Sequence, residues 1–537
     1  MRNSSAARDA RLTVIGAIFA LALAACSGSD GGDGGGGGGD GGDGGGDGGG
    51  GGGAATPPTL PADTTSSATA YVTATTTGWG VVPLLTAGDE PDASAYPMVG
   101  KPDGLGALAG KVSVNGEITD TERYLTVLMN HELAADRGVA RAHGTRGAFV
   151  SQWTVDRDTL RVVEGRDLVT RTLSHDGVGW SDSPVTFDRL CSADLPGAAA
   201  VFNAQSGKGY AGSLFLNGEE NAEGRAFATV VTGSEHGTAY ELPHLGKYAH
   251  ENVVIHPDTD DTTLVVSLDD SAGGQVYVYV GTKSSSGNPV ERAGLHGGRL
   301  YGVKVVDGGT HYGGQAAPLE NKGAIEGTFE LVEVTDLAPA SGAALQAGSI
   351  ARGITGFARP EDGHWDSQDP NAFYWVTTGA QLAGAEQTAR LYRLRFDSIT
   401  QPTGGTIELV VDADTVTGQD GFKAGGFDNV TVNGGGDVVI QEDQGGDEIA
   451  RIWLVTASAG TAAQIFESDR ARFLAAGTNF LTKDEEHSGV IEVTGLVAGA
   501  SWYEPGRRYY LGTTQAHTAR GPEIVEDGQL YLFGSPR

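Results

Sequence analysis

The chain has 537 residues, with 68 acidic and 36 basic side chains and a formal net charge of -32. That balance argues against nucleic acid or an anionic lipid surface as a partner and suits an exported protein that meets divalent cations. Of its two cysteines, Cys26 is assigned to a lipid below. Cys191 then has no disulfide partner and reads as a buried structural thiol.

The N-terminus carries a targeting pattern. Arg2, Arg8 and Arg11 make a positive start, and Leu12–Ala25 is an apolar run of signal-peptide length, too short to cross a bilayer easily. The run ends Leu23-Ala24-Ala25-Cys26, the boundary a lipoprotein signal peptidase cuts. Residues 1–25 are expected to be removed and Cys26 to be lipidated. Ser27, which is not Asp, favours the outer over the inner membrane. Residues 31–53 are only Gly and Asp, and 54–68 are rich in Thr, Pro, Ala and Ser. Residues 26–68 therefore read as a flexible tether. Nothing later is long and apolar enough to be a span. Attachment to the cell envelope is expected through the lipid alone, with the folded part in the periplasm or at the surface.

Residues 69–537 show no second linker and read as one all-β domain, taken as a monomer. Short β-branched or aromatic runs bounded by Gly, Asp and Asn recur in chain order: Leu125–Met129, Leu214–Leu216, Val253–His256, Leu264–Leu268, Gln275–Val280, Leu300–Val306, Ala372–Thr377 and Leu391–Phe396. Ile407–Val411, Val430–Val432, Val438–Gln441, Ile449–Val455, Tyr509–Gly512 and Leu530–Phe533 follow. One short helix is expected over Gln464–Ala475. The seven tryptophans read as packing between sheets.

A weak repeat links these strands. A polar cluster opens a strand, a turn follows, and a second strand ends in more acids or amides. His250-Glu251-Asn252 precedes one such pair, Phe427-Asp428-Asn429 another, Arg359-Pro360-Glu361 a third and Glu492-Val493-Thr494-Gly495 a fourth. Repeated small antiparallel sheets with long insertions between strands predict a β-propeller, whose inner strands converge on a channel. A β-sandwich is the alternative, but it gives no reason to repeat acids at strand ends.

The candidate site is that set of clusters: Glu132, Glu219, Glu220, Glu251, Glu361, Asp428, Asn429 and Glu492 as metal ligands. Converging carboxylates need cations, and hard oxygen ligands suit calcium. Arg359 is a planar donor matched to phosphate oxygens, and His250 is placed with it as a catalytic residue that orients Glu251. The ligand set then points to a small phosphorylated substrate. Neither a Gly-x-Ser-x-Gly elbow nor a His-Glu-x-x-His zinc motif occurs.

These motifs resemble the PhoX-type alkaline phosphatases. Pro102-Asp103-Gly104-Leu105-Gly106, Asn130-His131-Glu132, Gly218-Glu219-Glu220-Asn221, Gly246–Glu251, Asp269-Asp270, Arg359-Pro360-Glu361, Phe427-Asp428-Asn429 and Glu492–Gly495 follow the family's order over about residues 101–517. The resemblance implies an exported, calcium-dependent phosphoester hydrolase on a six-bladed propeller. It also implies a departure. The cysteine that the family is understood to use for iron falls at Gly218, which sets the iron part of the cofactor in doubt and leaves the calcium part. A non-catalytic calcium-stabilised propeller that binds a ligand or partner is the alternative function.

Overall fold

The computed structural model describes residues 55–307, 325–382, 385–444, 446 and 448–537. The expected signal peptide, Cys26 and residues 26–54 of the tether lie outside them. Residues 55–68 are not a free tether in this structure. Thr64 donates its hydroxyl to the Pro83 carbonyl at 2.7 Å, and Leu60 packs against the core beside Trp502 and Leu532.

Most of the described strands form six blades, each with a four-stranded antiparallel core that starts with an inner strand. Blade one runs Pro102–Ala109, Tyr124–His131, Phe149–Asp156, Val162–Asp167 from inside out. Blade two runs Leu190–Asp194, Leu214–Glu219, Ala226–Val230, Thr238–Glu241, with Arg171–His175 and Trp180–Asp182 added outside. Blade three is His250–Ile255, Thr262–Asp269, Val276–Thr282, Arg299–Asp307. Blade four is Pro360–Trp365, Ala372–Thr377, Arg390–Phe396, Gly404–Asp412. Gly327–Glu333 joins the outer edges of these two blades.

Blade five is Phe427–Val432, Val438–Glu442, Arg451–Thr456, Thr461–Ser468, capped by Val72–Ala74. Blade six is Glu485–Glu492, Tyr509–Gly521, Val525–Gly534 and, outermost, Gly80–Thr86 from the other end of the domain. Each inner strand touches the next, and that of blade six touches that of blade one. The expected six-bladed propeller is therefore a closed ring, and the N-proximal strand completes its last blade.

Apolar side chains fill the spaces between blades, as the alternation along each strand requires. Trp153, Trp375 and Trp453 are fully buried. Trp79 meets Phe466, Tyr510 and Phe533 between blades five and six. The helix expected over Gln464–Ala475 is instead the outer strand Thr461–Ser468 followed by the single turn Arg470–Phe473. Pairing with Arg451–Thr456 overrides local propensity there.

One irregularity repeats in all six blades. Between Pro102 and Leu105, Leu190 and Ala193, His250 and Val253, Pro360 and Gly363, Phe427 and Val430, and Glu486 and Gly489, the inner strand carries one residue more than its partner. Such a bulge bends the strand and re-aims its side chains. The residues it displaces include Asp103, Cys191, Glu251, Glu361 and Asp428. Below them a second layer ties blades together, both neighbours and, across the channel, blades five and two. Asn252 donates to Asp362 at 2.5 Å, Asp362 accepts from the Val430 N–H at 3.0 Å, and Asn429 donates to the Ser192 hydroxyl at 2.9 Å.

Closure by Gly80–Thr86 is testable. Leu85 is fully buried at the outer edge of blade six, opposite Leu530. Leu85→Ala should cost about 2–5 kcal/mol in urea unfolding. A loss under about 1 kcal/mol would mean that this strand does not hold the ring shut.

Candidate metal centre

At one mouth of the channel lies a cavity of about 170 Å³, lined by Asp103, Glu132, Glu220, Glu251, Asp270, Glu361, Asp428, Asp443, Glu486 and Cys191. Three groups of ligand atoms have spacings that allow a shared ion: Asp103, Glu132 and Cys191; Cys191, Glu220 and Glu251; Glu251, Glu361 and Asp428, with the atoms of each group within 4.8 Å of one another. The groups share members. Cys191 joins the first to the second, and Glu251 joins the second to the third. The Cys191 thiol donates to Glu220 Oε2 at 2.8 Å, and Ser192 donates to Glu251 Oε1 at 2.8 Å.

Burial sets the electrostatics. It pushes Glu220 up to about 8, with help from Asp270 and Glu132, and Asp443 up to about 7, with help from Glu486. Asp103, Glu251, Glu361 and Asp428 also rise well above their ordinary range through burial and then a neighbouring carboxylate, chiefly Glu132, Glu220, Asp270 and Glu251 respectively. Burial raises the Cys191 thiol as well. The donor set fits cations. Asp103 Oδ1 is a buried oxygen of the first group without a hydrogen-bond partner, an acceptor open to an ion.

Four basic side chains line the same cavity: Lys101, Arg189, Arg359 and His517. Three of them stand immediately before an inner strand in the left-handed region, at φ 49° for Lys101, 47° for Arg189 and 61° for Arg359. Non-glycine residues held there mark strain that surrounding contacts must maintain. Lys101 pairs with Glu132 at 2.8 Å and Arg189 with Glu220 at 2.5 Å. Arg359 forks onto Asp270 at 2.7 and 2.9 Å and meets Glu361 at 3.1 Å. His517 lies 2.8 Å from Glu526 and 3.4 Å from Glu486. Burial opposes its charge, but those two carboxylates outweigh it and raise it to about 10.

Residues 231–512 match the alkaline phosphatase PhoX family, a stretch that covers more than half of the chain. The chain belongs to that family. The structure of Pseudomonas fluorescens PhoX in complex with vanadate, a transition state analogue, is 12% identical, with 90% of this chain and 98% of that one covered and a TM-score of 0.58, a likeness in fold. A GH93 α-L-arabinofuranosidase of Fusarium graminearum with arabinobiose covers 84% of this chain and 97% of its own at 9% identity, with a TM-score of only 0.36. No curated protein sequence matches the chain. The PhoX family is metal-dependent, and the acidic groups here are of the kind that bind metal.

Of the PhoX-like residues singled out in the sequence, Glu132, Glu220, Glu251, Arg359, Glu361 and Asp428 come together in the cavity. Asn429 sits behind Glu251, joined to it through Ser192. Three others point elsewhere. Glu219 neighbours Glu220 on a strand end, so it takes the opposite face, where Arg225 grips both its oxygens at 2.7 Å. Glu492 closes the inner strand that Glu486 opens. Six residues of extended chain put it about 20 Å further along the channel, where it meets Arg508 at 3.0 Å and the Gly434 N–H at 2.7 Å. His250 turns away from Glu251 into the protein. Its ring lies 3.8 Å from that of Tyr248 and bonds Ser267 and the Gly246 carbonyl, and burial lowers it to about 3. A neutral, enclosed ring supports Glu251 from behind and does not reach the cavity.

Cys191 is the larger correction. It is buried, but it is a member of two ligand groups rather than a structural thiol apart from the site. Gly218 does not remove the thiol: a Cβ there would lie 2.2 Å from His250 Cβ. Reading by position along a motif missed Cys191 because the chain enters the site from a different strand. Asp103 and Asp270 lay within motifs already noted and Asp443 is one of the acids that end a second strand, whereas Lys101, Arg189 and Glu486 had no signal but their place at inner strands.

The raised carboxyls predict an unusual pH profile without metal. Glu220 and Asp443 hold protons more tightly folded than unfolded, so the folded chain binds more protons between their ordinary values and about pH 8. Stability then falls as pH rises through that window. Chelated protein should melt several degrees lower at pH 8.5 than at pH 5.5 in a thermal scan, and a flat or rising profile would contradict the assignment. Bound metal should shrink the difference, because an ion replaces the protons.

Proposed function

We propose that this chain is an exported phosphoester hydrolase that depends on divalent ions in the channel mouth, calcium among them. The observation that carries the reading is the run of three ligand groups joined through Cys191 and Glu251, with Arg359 against its last member. Carboxylate and amide oxygens suit calcium, whereas a thiolate suits a softer ion, so Cys191 favours a transition ion such as iron in the groups it joins. Ions bound there supply Lewis-acid polarisation of a phosphoryl oxygen.

The chain's own side chains do the rest. Asp270 grips Nε and Nη2 of Arg359 and fixes its plane. Nη1 has no partner among the described residues and is the donor offered to a phosphoryl oxygen. Lys101 and Arg189 offset the excess of acids and add donors at the entrance. His517, kept protonated by Glu526 and Glu486, contributes a fixed positive charge at the edge. The P. fluorescens PhoX structure holds vanadate, described as a transition state analogue, and the same transfer of a phosphoryl group to water is assigned here. Among the described residues no helix is long and apolar enough to cross a membrane. Export, typical of the family, with a lipid on Cys26 and outer-membrane attachment, completes the proposal.

Purified, metal-loaded protein should hydrolyse a phosphomonoester or phosphodiester at alkaline pH and lose that activity to a chelator. Saturating calcium should raise its melting temperature. Arg359→Ala should lower kcat/KM by about a hundredfold or more while bound calcium is retained. Protein that binds calcium yet hydrolyses no phosphomonoester, phosphodiester or phytate would be the non-catalytic, ligand-binding propeller instead.

A further inference from the structure

We infer that Gln515 decides which ion the Asp103–Glu132–Cys191 group accepts; the inference rests on the metal-dependent reading above. Gln515 stands on Tyr509–Gly521, two residues before His517, so both side chains leave the same face of the strand. It is fully buried. Its Nε2 donates to Asp103 Oδ2 at 2.9 Å and to Glu132 Oε2 at 3.1 Å. Lys101 Nζ reaches that same Glu132 oxygen at 2.8 Å. One oxygen of each carboxylate is thereby committed.

What remains open is Asp103 Oδ1, buried without a partner, and Glu132 Oε1, with Arg189 at 3.9 Å. Glu132 Oε2, held from two sides, has no lone pair left for an ion, while Asp103 Oδ2 keeps one that the Gln515 bond draws away from two-oxygen geometry. Calcium takes about six to eight oxygens and often gains them from two-oxygen carboxylates. A position limited to single oxygens and a thiolate suits an ion of lower coordination number and softer character. The Glu251–Glu361–Asp428 group differs at one member: Ser192 engages Glu251 Oε1 and Thr378 with Arg359 engages Glu361 Oε1, but no hydrogen bond among the described residues occupies either oxygen of Asp428, which can offer both. Gln515 also leaves its own Oε1 buried and unpaired. A leucine would fill the space without that penalty, so the amide is there for what its nitrogen holds. Gln515 is a positioning residue: it sets how many oxygens its two neighbours can offer.

The test uses the full-length protein carrying Cys26→Ser and loaded with cobalt(II), whose thiolate charge-transfer absorption then reports ions on Cys191 alone. Calcium is then titrated in. Gln515→Leu and Gln515→Met keep the volume and remove the donor, and thermal melts of both check that the fold is intact. The freed Asp103 oxygen should let calcium compete, so the calcium needed to halve the band should fall about tenfold or more in both variants. If folded variants need calcium within twofold of the wild-type amount, Gln515 does not set the choice of ion. If wild-type protein forms no thiolate band and calcium leaves its melt unchanged, the metal-centre reading itself fails, a result distinct from the former.

Discussion

Nine carboxylates facing a cavity of about 170 Å³ repel one another, and the rest of the structure is arranged around that repulsion. At about 5 Å and an effective dielectric near 20, each ionised pair costs about 3 kcal/mol. Lys101, Arg189, Arg359 and His517 offset fewer than half of the negative charges. Protons take up part of the remainder, which is why burial and mutual repulsion raise so many of these acids. Cations are the other solution, and the buried acceptor Asp103 Oδ1 has no hydrogen-bond partner among the described residues to take their place.

The propeller produces this convergence through the bulge repeated in its six inner strands. A regular strand would send alternate residues to opposite faces and leave a narrow file of side chains in the channel. One extra residue at the same level of every blade turns Asp103, Cys191, Glu251, Glu361 and Asp428 into a single mouth. The residues directly below then become the support. Ser192, Asn252, Asp362 and Asn429 come from four blades and bond across blade boundaries. Ring closure and site geometry are therefore one construction, and a change that loosens the ring would also spread the ligands.

Much of this was legible in the sequence. Strands rich in Val, Ile and aromatics, such as Leu264–Leu268 and Ala372–Thr377, stand out by composition, and acids recur at their ends. The bulges were not legible, because one added residue breaks the period-two pattern where the site lies. Face assignment failed for the same reason: Glu219 and Glu220 are adjacent, and only the ladder shows which one faces inward. Glu492 misled because the inner strand of blade six has polar residues at both ends. Its opening Glu486-His487 stands at the level of His250-Glu251 with acid and imidazole exchanged, yet Glu492-Val493-Thr494-Gly495 resembles the family motif more closely. Short inner strands such as Leu190–Asp194 carry little apolar signal, and so Cys191 went unplaced.

The histidines beside the acids act by being neutral. His131 adjoins Glu132, His250 adjoins Glu251 and His487 adjoins Glu486, and all three rings are completely buried. Burial lowers them to about 3, 3 and 4. Each ring is held at both nitrogens: His131 by the Gly100 carbonyl and Ser151, His250 by Ser267 and the Gly246 carbonyl, His487 by Thr514 and Ser468. A ring fixed in this way anchors its own residue on the face away from the channel. The neighbouring glutamate is then confined to the channel side, where turning outward to water would require the ring to leave its bonds. Gly218 belongs to the same device, since only a residue without a Cβ lets His250 pack there. The position that interrupts the family motif thus helps hold Glu251 against Cys191, the thiol that joins two of the three ligand groups.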